Sequence, residues 1–495
     1  MDSSLNARRR SYELGVVAAE RLDVLVVGLG ATGAGAALDA ASRGLSVAAI
    51  DAHDLAFGTS RWSSKMVHGG LRYLAKGQVD VAYESAVERG ILLRKTAPHL
   101  VKAHPYLLPL TPAVSRRQAA LVMSGYRLGD GLRTAARTPR RLLPGPTRLG
   151  AARAHTLAPV LEREGLRGGL LSWDGRLLDD ARLVVALART AAGHGARVLT
   201  RCRALRLSGE GAEVRDELTG EEFTIRARVV INATGVWAGG LDPAVRLRPS
   251  RGSHLVLAAG TLPGLIAGMH VPIPGETNRF ALVLPQQDGR VYVGLTDEPV
   301  DGPVPDVPEV PAEDVRTLLE VLNGILETQV TPEAVAGAYA GLRPLLAADG
   351  RTADLSRRHA VVSDGDAVTV VGGKLTTYRR MAEDAVDRAI TVGGLDTGSS
   401  RTNRIPLVGA GPQPGGLPAR VAERYGSEAA EAYELVKAHP EEVGLGLTKG
   451  DLLWSVRHEG ALDEADLLDR RTRIGLVAAD RDRGLPATRD VLAEG

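Results

Sequence analysis

The sequence predicts an α/β protein with three kinds of unit: a parallel sheet built for a ligand, an antiparallel sheet, and a C-terminal group of helices. Three observations predict this class. A strand, a glycine turn, a helix and a second strand follow one another over residues 23–51 of the 495. Strands joined by turns fill the middle of the chain. After about residue 396 polar turns alternate with amphipathic helices, and segments of these types together are typical of mixed α/β folds.

The stretch from Asp23 to Asp51 has the parts of a dinucleotide site in the required order. Val24–Val27 is a short apolar run of the kind that forms a buried parallel strand. The spacing G-x-G-x-x-G follows, in Gly28, Gly30 and Gly33. These glycines allow a tight turn, close approach to a pyrophosphate and close packing of helix on strand, and an acid at Asp51 suits a ribose hydroxyl. The motif does not separate FAD from NAD, although its place near the N-terminus favours FAD.

Bulk composition excludes several functions. The net charge is only +2 and aromatic residues make up 3%, so neither charge nor base stacking predicts a nucleic-acid partner. The single cysteine, Cys202, excludes an intramolecular disulfide, a cysteine-held metal and an iron–sulfur cluster, and no metal site is predicted. No run of ~18 apolar residues predicts a transmembrane helix, and no secretory signal is recognisable. We therefore expect a cytoplasmic protein whose membrane contact, if any, is peripheral.

Between these features the elements follow in order. Residues 53–78 are rich in glycine and hydroxyl side chains and too long for an idle loop, so they either cover a ligand or form a surface loop. Leu178–Arg197 predicts a helix, opened by two aspartates. His104–Pro112 is extended, and its prolines predict an edge strand. Asp288-Gly289 predicts a hairpin turn, and Asp301–Pro311 predicts a rigid proline-rich connector.

Two later strands also run into glycine turns. One ends in Asn232–Gly235, and the other enters Gly372–Tyr378. With the first turn, these junctions narrow the prediction to a dinucleotide that lies along a cleft between two domains. The arginine-rich segment Ser115–Arg148 also has an apolar side. It predicts either contact with an anionic membrane surface or a solvated helical face, and the sequence leaves both open.

Several stretches together resemble the FAD-dependent (aerobic) glycerol-3-phosphate dehydrogenase family. They are GLGATGAGAALDAASRGLSV, GTSRWSSKMVHGGLRYL, APHLVKAHPYLLPL, DGRLLDDARL, NATGVWA, RGSHLVL, GLRPL, SRRHAV, GGKLTTYR and LLDRRTR, in the order of the family. The resemblance implies an FAD-binding Rossmann-like domain of the glutathione-reductase/D-amino-acid-oxidase type. It implies FAD-binding parts at 20–100, 166–240 and 339–395, substrate-domain parts at 101–165 and 241–338, and a C-terminal helical domain at 396–495.

The resemblance also implies a reaction. Members of the family oxidise sn-glycerol 3-phosphate to dihydroxyacetone phosphate by hydride transfer to FAD, and the electrons usually pass to a membrane quinone. A place on the inner face of the cell membrane would follow, and a homodimer is left open. The alternatives are an oxidase of the same substrate that reduces oxygen, an amine or amino-acid oxidase of the same broad fold, and a non-catalytic flavin-binding scaffold.

Candidate substrate residues follow from charge and from the resemblance. A phosphate dianion favours Arg and Lys, and the family motifs supply Arg72, Tyr73, Arg343, Arg357 and Lys374. Arg357 is preferred to its neighbour Arg358 because it follows the serine of SRRHAV. Alcohol oxidation needs a base within hydrogen-bond reach, and His254 is the candidate. In the rival interpretation Arg343 or Lys374 orients the hydroxyl and water takes the proton.

The resemblance and the glycine turns together imply a cofactor set. Its members are Gly28, Gly30, Gly33, Asp51, Thr59, Ser60, Ser64, Lys65, His68, Gly69, Cys202, Gly235, Trp237, Gly373, Leu375 and Thr376. Asp51 stands where the family more often has Glu, so the acid is one methylene shorter. A ribose contact then requires the strand end to lie closer to the cofactor. A covalent flavin link to His68 is not expected.

Overall fold

The computed structural model describes residues 2–74, 77–276, 279–347, 358–364 and 367–494. Its α-helices are α1 (Ala7–Ala19), α2 (Ala31–Ser42), α3 (Leu71–Leu74), α4 (Val79–Ile91), α5 (Arg116–Ala135), α6 (Ala151–Leu157), α7 (Asp180–Gly193), α8 (Ala238–Leu241), α9 (Ala312–Asn323), α10 (Tyr378–Val392), α11 (Ala419–Tyr425), α12 (Ala429–Ala438), α13 (Lys449–His458) and α14 (Ala478–Glu494).

The strands complete the element list. They are β1 (Arg21–Val27), β2 (Val47–Ile50), β3 (Met66–Val67), β4 (Val101–Pro109), β5 (Thr147–Leu149), β6 (Gly169–Leu177), β7 (Arg197–Leu199), β8 (Cys202–Ser208), β9 (Gly211–Asp216), β10 (Glu222–Asn232), β11 (Ser250–Leu257), β12 (Gly268–Pro272), β13 (Phe280–Pro285), β14 (Val291–Gly294), β15 (Glu298–Pro299), β16 (Val335–Arg343), β17 (His359–Asp364), β18 (Ala367–Gly372), β19 (Glu442–Gly444) and β20 (Leu447–Thr448).

The first sheet has the order β17-β18-β10-β1-β2-β7. The strands from β18 to β7 pair in parallel, and β17 adds an antiparallel edge. Because helices cover it, β1 is apolar on both faces: Val24 and Val26 pack with α2, α7 and α10, whereas Leu25 and Val27 pack on the side of α1 and β9. The carboxyl ends of β1, β2, β10 and β18 thus meet at one edge, where ligands bind in sheets of this type.

The second sheet is largely antiparallel, in the order β15-β11-β14-β13-β12-β4-β6-β3, with β16 paired to β11 and β5 to β6. The Asp288-Gly289 turn joins β13 to β14 as predicted. The expectation that His104–Pro112 forms an edge strand is wrong, because β4 lies between β12 and β6. Its pairing with β12 is confined to Tyr106 and Leu107, which lie between the prolines of the strand.

The C-terminal helices α11–α14 pack around their own apolar clusters. The α/β class, with its two sheets and C-terminal helices, is as the sequence predicts. Where one domain ends and the next begins stays a prediction. None of the helices in the described ranges is long and apolar enough to cross a membrane.

Candidate active site

A cavity of about 590 Å³ opens at the carboxyl ends of the parallel strands. Gly28, Asp51 and Ala233, which follow β1, β2 and β10, line one part of it. His254 of β11 and Arg343 of β16 line another part, so both sheets contribute walls. The volume lies in the range of cofactor and ligand sites.

The first glycine turn is too crowded for any side chain. Gly28 has φ +101°, and a Cβ there would lie 2.6 Å from the carbonyl oxygen of Ala233. A Cβ on Gly33 would collide with the carbonyl oxygen of Gly28, so Gly33 serves the packing of helix on strand and does not itself line the cavity. The Ser60 hydroxyl accepts from the Ala31 backbone N–H at 2.9 Å and lies against the N-terminus of α2. A bare backbone turn opening a helix fits the pyrophosphate of a dinucleotide.

Asp51 lies just after the end of β2, half-buried beside this turn. Its Oδ2 accepts the backbone N–H of Leu29 at 2.7 Å, and its Oδ1 accepts that of His53 at 2.9 Å. Burial raises the pKa of Asp51 to about 6, although both N–H groups oppose the shift. A carboxylate has about four acceptor positions, so two remain for a ribose.

His254 is held in a fixed position by neighbouring side chains. Its Nε2 is hydrogen-bonded to the Ser64 hydroxyl at 2.9 Å, and its ring stacks on Tyr339 with centroids 4.7 Å apart. Burial, followed by the charges of Lys65 and Arg343, lowers the pKa of His254 to about 3. The imidazole is therefore neutral at pH 7 and free of a bound proton on one ring nitrogen, as a base requires.

Two cations line the same cavity. Arg343 donates from Nη1 to Asp297 Oδ1 at 3.1 Å and from Nη2 to the carbonyl oxygen of Thr296 at 3.2 Å, which orients its guanidinium. The Lys374 ammonium donates to the hydroxyl of Ser85 and lies 4.1 Å from the ring centroid of Tyr73. Both cations are thereby positioned before any ligand binds.

The long segment after β2 does form a wall of the cavity. Asp180, at the start of α7, accepts the backbone N–H and the hydroxyl of Ser63 at 2.9 and 2.7 Å. It also pairs with the Lys65 ammonium at 2.8 Å. Lys65 does not line the cavity, because its side chain is directed to this buried acid. Its role toward the cofactor stays a prediction. Ser64, between them, faces His254.

The structure sorts the remaining expected residues. The cavity is lined by Gly28, Gly30, Asp51, Thr59, Ser60, Ser64, His68, Gly235, Trp237, His254, Arg343, Gly373, Lys374, Leu375 and Thr376. Five others in the described ranges lie outside the lining: Gly33, Lys65, Gly69, Tyr73 and Cys202. Gly69 donates its N–H to the carboxylate of Asp174. Cys202 donates its N–H to the carbonyl oxygen of Asp51 at 2.7 Å, so Cys202 stabilises the position of a lining residue without lining the cavity itself.

Arg357 lies outside the described residues, as does the side chain of Arg72. Arg358 forms an exposed ion pair with Asp80. Sequence reasoning also missed several lining residues, which are His53, Phe57, Trp62, Met66, Arg203, Asp306 and Pro344. Trp62, Met66 and Pro344 lie within the motifs GTSRWSSKMVHGGLRYL and GLRPL but were not singled out. The other four lie outside the family motifs, and Arg203 and Asp306 are brought to the cavity by long-range folding.

The comparisons with known proteins agree with this geometry. Residues 23–379 match the family model described as FAD dependent oxidoreductase. Over 509 aligned positions, which cover 99% of both proteins, the chain is 52% identical to a protein of Mycobacterium tuberculosis named glycerol-3-phosphate dehydrogenase 1. The chain belongs to the FAD-dependent glycerol-3-phosphate dehydrogenase family.

Solved structures support the same assignment. The glycerol-3-phosphate dehydrogenase from Bacillus halodurans complexed with FAD is 27% identical, with a TM-score of 0.76 over 99% of this chain and 94% of that one. The L-alpha-glycerophosphate oxidase from Mycoplasma pneumoniae with FAD bound shares the fold at 17% identity, with a TM-score of 0.59 over 78% of this chain and 99% of that one. The expected fold class and the expected cofactor, FAD, are thus confirmed.

Asp51 leads to a pH prediction. A ribose hydroxyl donates to the ionised carboxylate, so bound FAD favours that form, and protonation of Asp51 below its pKa of about 6 opposes binding. We expect the affinity of the apoprotein for FAD to fall as pH decreases below about 6 and to level off above it. Quenching of flavin fluorescence on titration between about pH 5 and pH 8 measures this.

Asp51→Asn, which carries no charge to titrate, should bind FAD with little pH dependence across that window. Asp301→Asn is the control, because Asp301 is exposed and lies outside the cavity lining. If Asp51→Asn keeps the full pH dependence of FAD binding, the titrating group is not Asp51.

Proposed function

We propose that the protein oxidises sn-glycerol 3-phosphate to dihydroxyacetone phosphate with FAD as the hydride acceptor. The observation that carries the proposal is one cavity lined by a neutral imidazole, a guanidinium and an ammonium: His254, Arg343 and Lys374. A phosphorylated secondary alcohol needs all three, a base for its hydroxyl and cations for its phosphate. The Mycobacterium tuberculosis relative, 52% identical, is named for this dehydrogenase activity.

Arg343 and Lys374 bind the phosphate of the substrate. Arg343 offers a planar fork whose orientation Asp297 maintains, so it loses little freedom when it binds two phosphate oxygens. Lys374 adds a point charge supported by the face of Tyr73. Arg72 and Arg357 stay predicted members of the same set. This basic set favours a phosphorylated substrate over the amino acids of related oxidases.

His254 is the base that removes the hydroxyl proton of the substrate. The substrate hydroxyl loses its proton to the imidazole, directly or through the hydroxyl of Ser64 that is bonded to Nε2. Burial, and then the charges of Lys65 and Arg343, hold the pKa of His254 low. A bound phosphate dianion counteracts the two charges and so makes the imidazole more basic when substrate is present. FAD supplies the two-electron acceptor for the hydride from C2, so the alcohol loses one proton and one hydride in total.

The deciding experiment is anaerobic bleaching of the bound flavin. Glycerol 3-phosphate should bleach the yellow absorbance of the holoprotein, whereas glycerol, which lacks the phosphate, and amino acids should not. If glycerol 3-phosphate does not bleach the flavin, the dehydrogenase is contradicted and the non-catalytic flavin-binding scaffold is favoured.

The rate at which the reduced protein is reoxidised compares the two electron acceptors, a soluble quinone analogue and oxygen. We propose that reoxidation by the quinone is faster. Faster reaction with oxygen would favour the oxidase.

Loss of the imidazole should slow chemistry more than binding. His254→Asn is expected to lower kcat by roughly 10²–10⁴-fold, the usual contribution of a general base, with a much smaller rise in KM. Steady-state kinetics and single-turnover bleaching measure the two effects. His194→Asn, at an exposed position after α7, is the control and should match the wild type. An unchanged kcat in His254→Asn would show that His254 is not the base. It would favour the rival interpretation, in which water takes the proton and Arg343 or Lys374 orients the hydroxyl.

We also propose that α5 lies on an anionic membrane surface, where the quinone would be reached. The helix buries Ala119 and Tyr126, while Leu121 and Leu128 on another face are 61% and 63% exposed. Exposed Arg116, Arg117 and Arg127 accompany these leucines. Apolar side chains among arginines suit the boundary between lipid headgroups and acyl chains.

The position of α5 supports that proposal. It packs on α3 and α4, which carry Tyr73 and Ser85, and both of these contact Lys374 in the cavity. A membrane beneath α5 would thus lie near the substrate-binding cations. A place on the inner face of the cell membrane follows from this proposal, while the homodimer stays a prediction.

Sedimentation with vesicles tests the membrane contact. We expect binding to vesicles that contain phosphatidylglycerol and little binding to pure phosphatidylcholine, with a decrease as salt rises. Leu121→Ser combined with Leu128→Ser should reduce binding by about tenfold, because two apolar side chains leave the membrane. Leu218→Ser, a change at a 56% exposed leucine in the β9–β10 turn, is the control. Equal binding by all three proteins would assign the contact to another surface.

A further inference from the structure

The end of the cavity beside Asp51 is bordered by a segment that comes from the other sheet. Residues 301–311, here called the proline strap, connect β15 to α9 and contain Pro303, Pro305, Pro308 and Pro311. Helix α9 packs on β11 and the neighbouring strands of the antiparallel sheet. Asp306, in the middle of the strap, nevertheless lines the cavity together with Asp51 and Arg203. The strap therefore reaches from the antiparallel sheet to the dinucleotide-binding edge of the parallel sheet.

His53 faces Asp306 across this end of the cavity. The His53 Nε2 lies 3.8 Å from Asp306 Oδ2. The imidazole stacks on Phe57 with centroids 3.8 Å apart and planes 14° apart, and the backbone N–H of His53 donates to Asp51. The His53 carbonyl oxygen accepts the N–H of Arg201 at 2.7 Å. His53 is thus fixed by its ring and by both sides of its backbone, and it offers a rigid contact to the strap.

The charges at this end leave Asp306 available to a ligand. Arg203 is paired with Glu217 at 3.1 Å, and Asp51 already accepts two backbone N–H groups. In the described part of the chain, the one basic side chain within 4.0 Å of the Asp306 carboxylate is His53, and the side chain of Asp306 is 65% exposed. Burial lowers the pKa of His53, so the imidazole is neutral at pH 7 and does not neutralise Asp306. The adenosine half of FAD carries an exocyclic amino group and ribose hydroxyls, all of them hydrogen-bond donors. A carboxylate is a strong acceptor for such groups.

We propose that Asp306 is a cofactor-binding residue and that the proline strap closes over the adenosine half of FAD. Asp306 supplies an acceptor to the adenosine, and its contact with His53 holds the strap against the cavity. Prolines restrict the unbound strap to few conformations, so little entropy is lost when it closes. The strap thereby slows the release of FAD from the holoprotein.

A matched pair of variants tests this. Asp306→Ala removes the acceptor, and Asp301→Ala removes the same charge from the same strap at an exposed position outside the cavity lining. Release of FAD from each holoprotein is followed by the rise of flavin fluorescence after dilution. We expect release from Asp306→Ala to be roughly threefold to tenfold faster than from the wild type, as for loss of one solvent-exposed hydrogen bond. Asp301→Ala should match the wild type.

Two fragments of the cofactor locate the effect. ADP contains the adenosine half, and FMN contains the flavin half. Binding of ADP to the apoprotein of Asp306→Ala should weaken by the same factor as FAD, while binding of FMN stays unchanged. Equal release rates in the wild type and Asp306→Ala overturn the proposal, as does equal acceleration by Asp301→Ala. Weakening of FMN as large as that of ADP would also overturn it, because a general loss of structure acts on both halves.

Discussion

Asp54 is a fully buried carboxylate on which the assembly of the FAD site depends. Arg471 holds both of its oxygens, at 2.7 and 2.8 Å, and Arg470 bonds one of them at 2.6 Å. Burial alone would raise its pKa, but the charges of Arg471 and Arg470 keep the pKa of Asp54 well below its usual range. Asp54 lies three residues after Asp51, and the arginines come from the C-terminal helical region. The interaction therefore joins the far end of the chain to the wall of the cavity.

A buried ion group of this kind adds little net stability but is costly to leave incomplete. Desolvation of the two ions offsets much of their attraction, so the net contribution of a buried pair is small. Removal of one partner, by contrast, leaves a buried charge alone and costs about 3–5 kcal/mol. Arg471 also donates to the carbonyl oxygen of Glu459, whose carboxylate pairs with Arg182 of α7 at 2.7 Å. The observed docking of the C-terminal helices pairs Asp54, Glu459 and Arg182 together.

A second buried acid, Asp180, has a similar effect at the catalytic end. By holding Ser63 and Lys65, it presents the intervening Ser64 to His254. Burial lowers the pKa of His254, and the charge of Lys65 adds to this effect although Lys65 does not line the cavity. Residues 53–65, for which local sequence leaves open a ligand cover or a surface loop, are thus held by buried ion pairs of Asp54 and of Lys65. Their conformation places hydroxyls on the cavity and a cation behind it.

Local sequence determined the glycine turn, the strands around it, the hairpin at Asp288-Gly289 and the three glycine junctions, because each depends on steric rules within a few residues. It could not decide that β4 is an internal strand, that Lys65 points to Asp180, or that Asp306 meets His53. Those outcomes rest on contacts between residues distant in sequence, where burial and ion pairing select among conformations that local propensity leaves equal. The sequence by itself determined that the protein binds a dinucleotide. It also named Asp51, His254, Arg343 and Lys374, which line the cavity. The tertiary structure alone decided that Arg203 and Asp306 line the cavity beside Asp51 and that Lys65 does not, because these positions depend on contacts between residues distant in sequence.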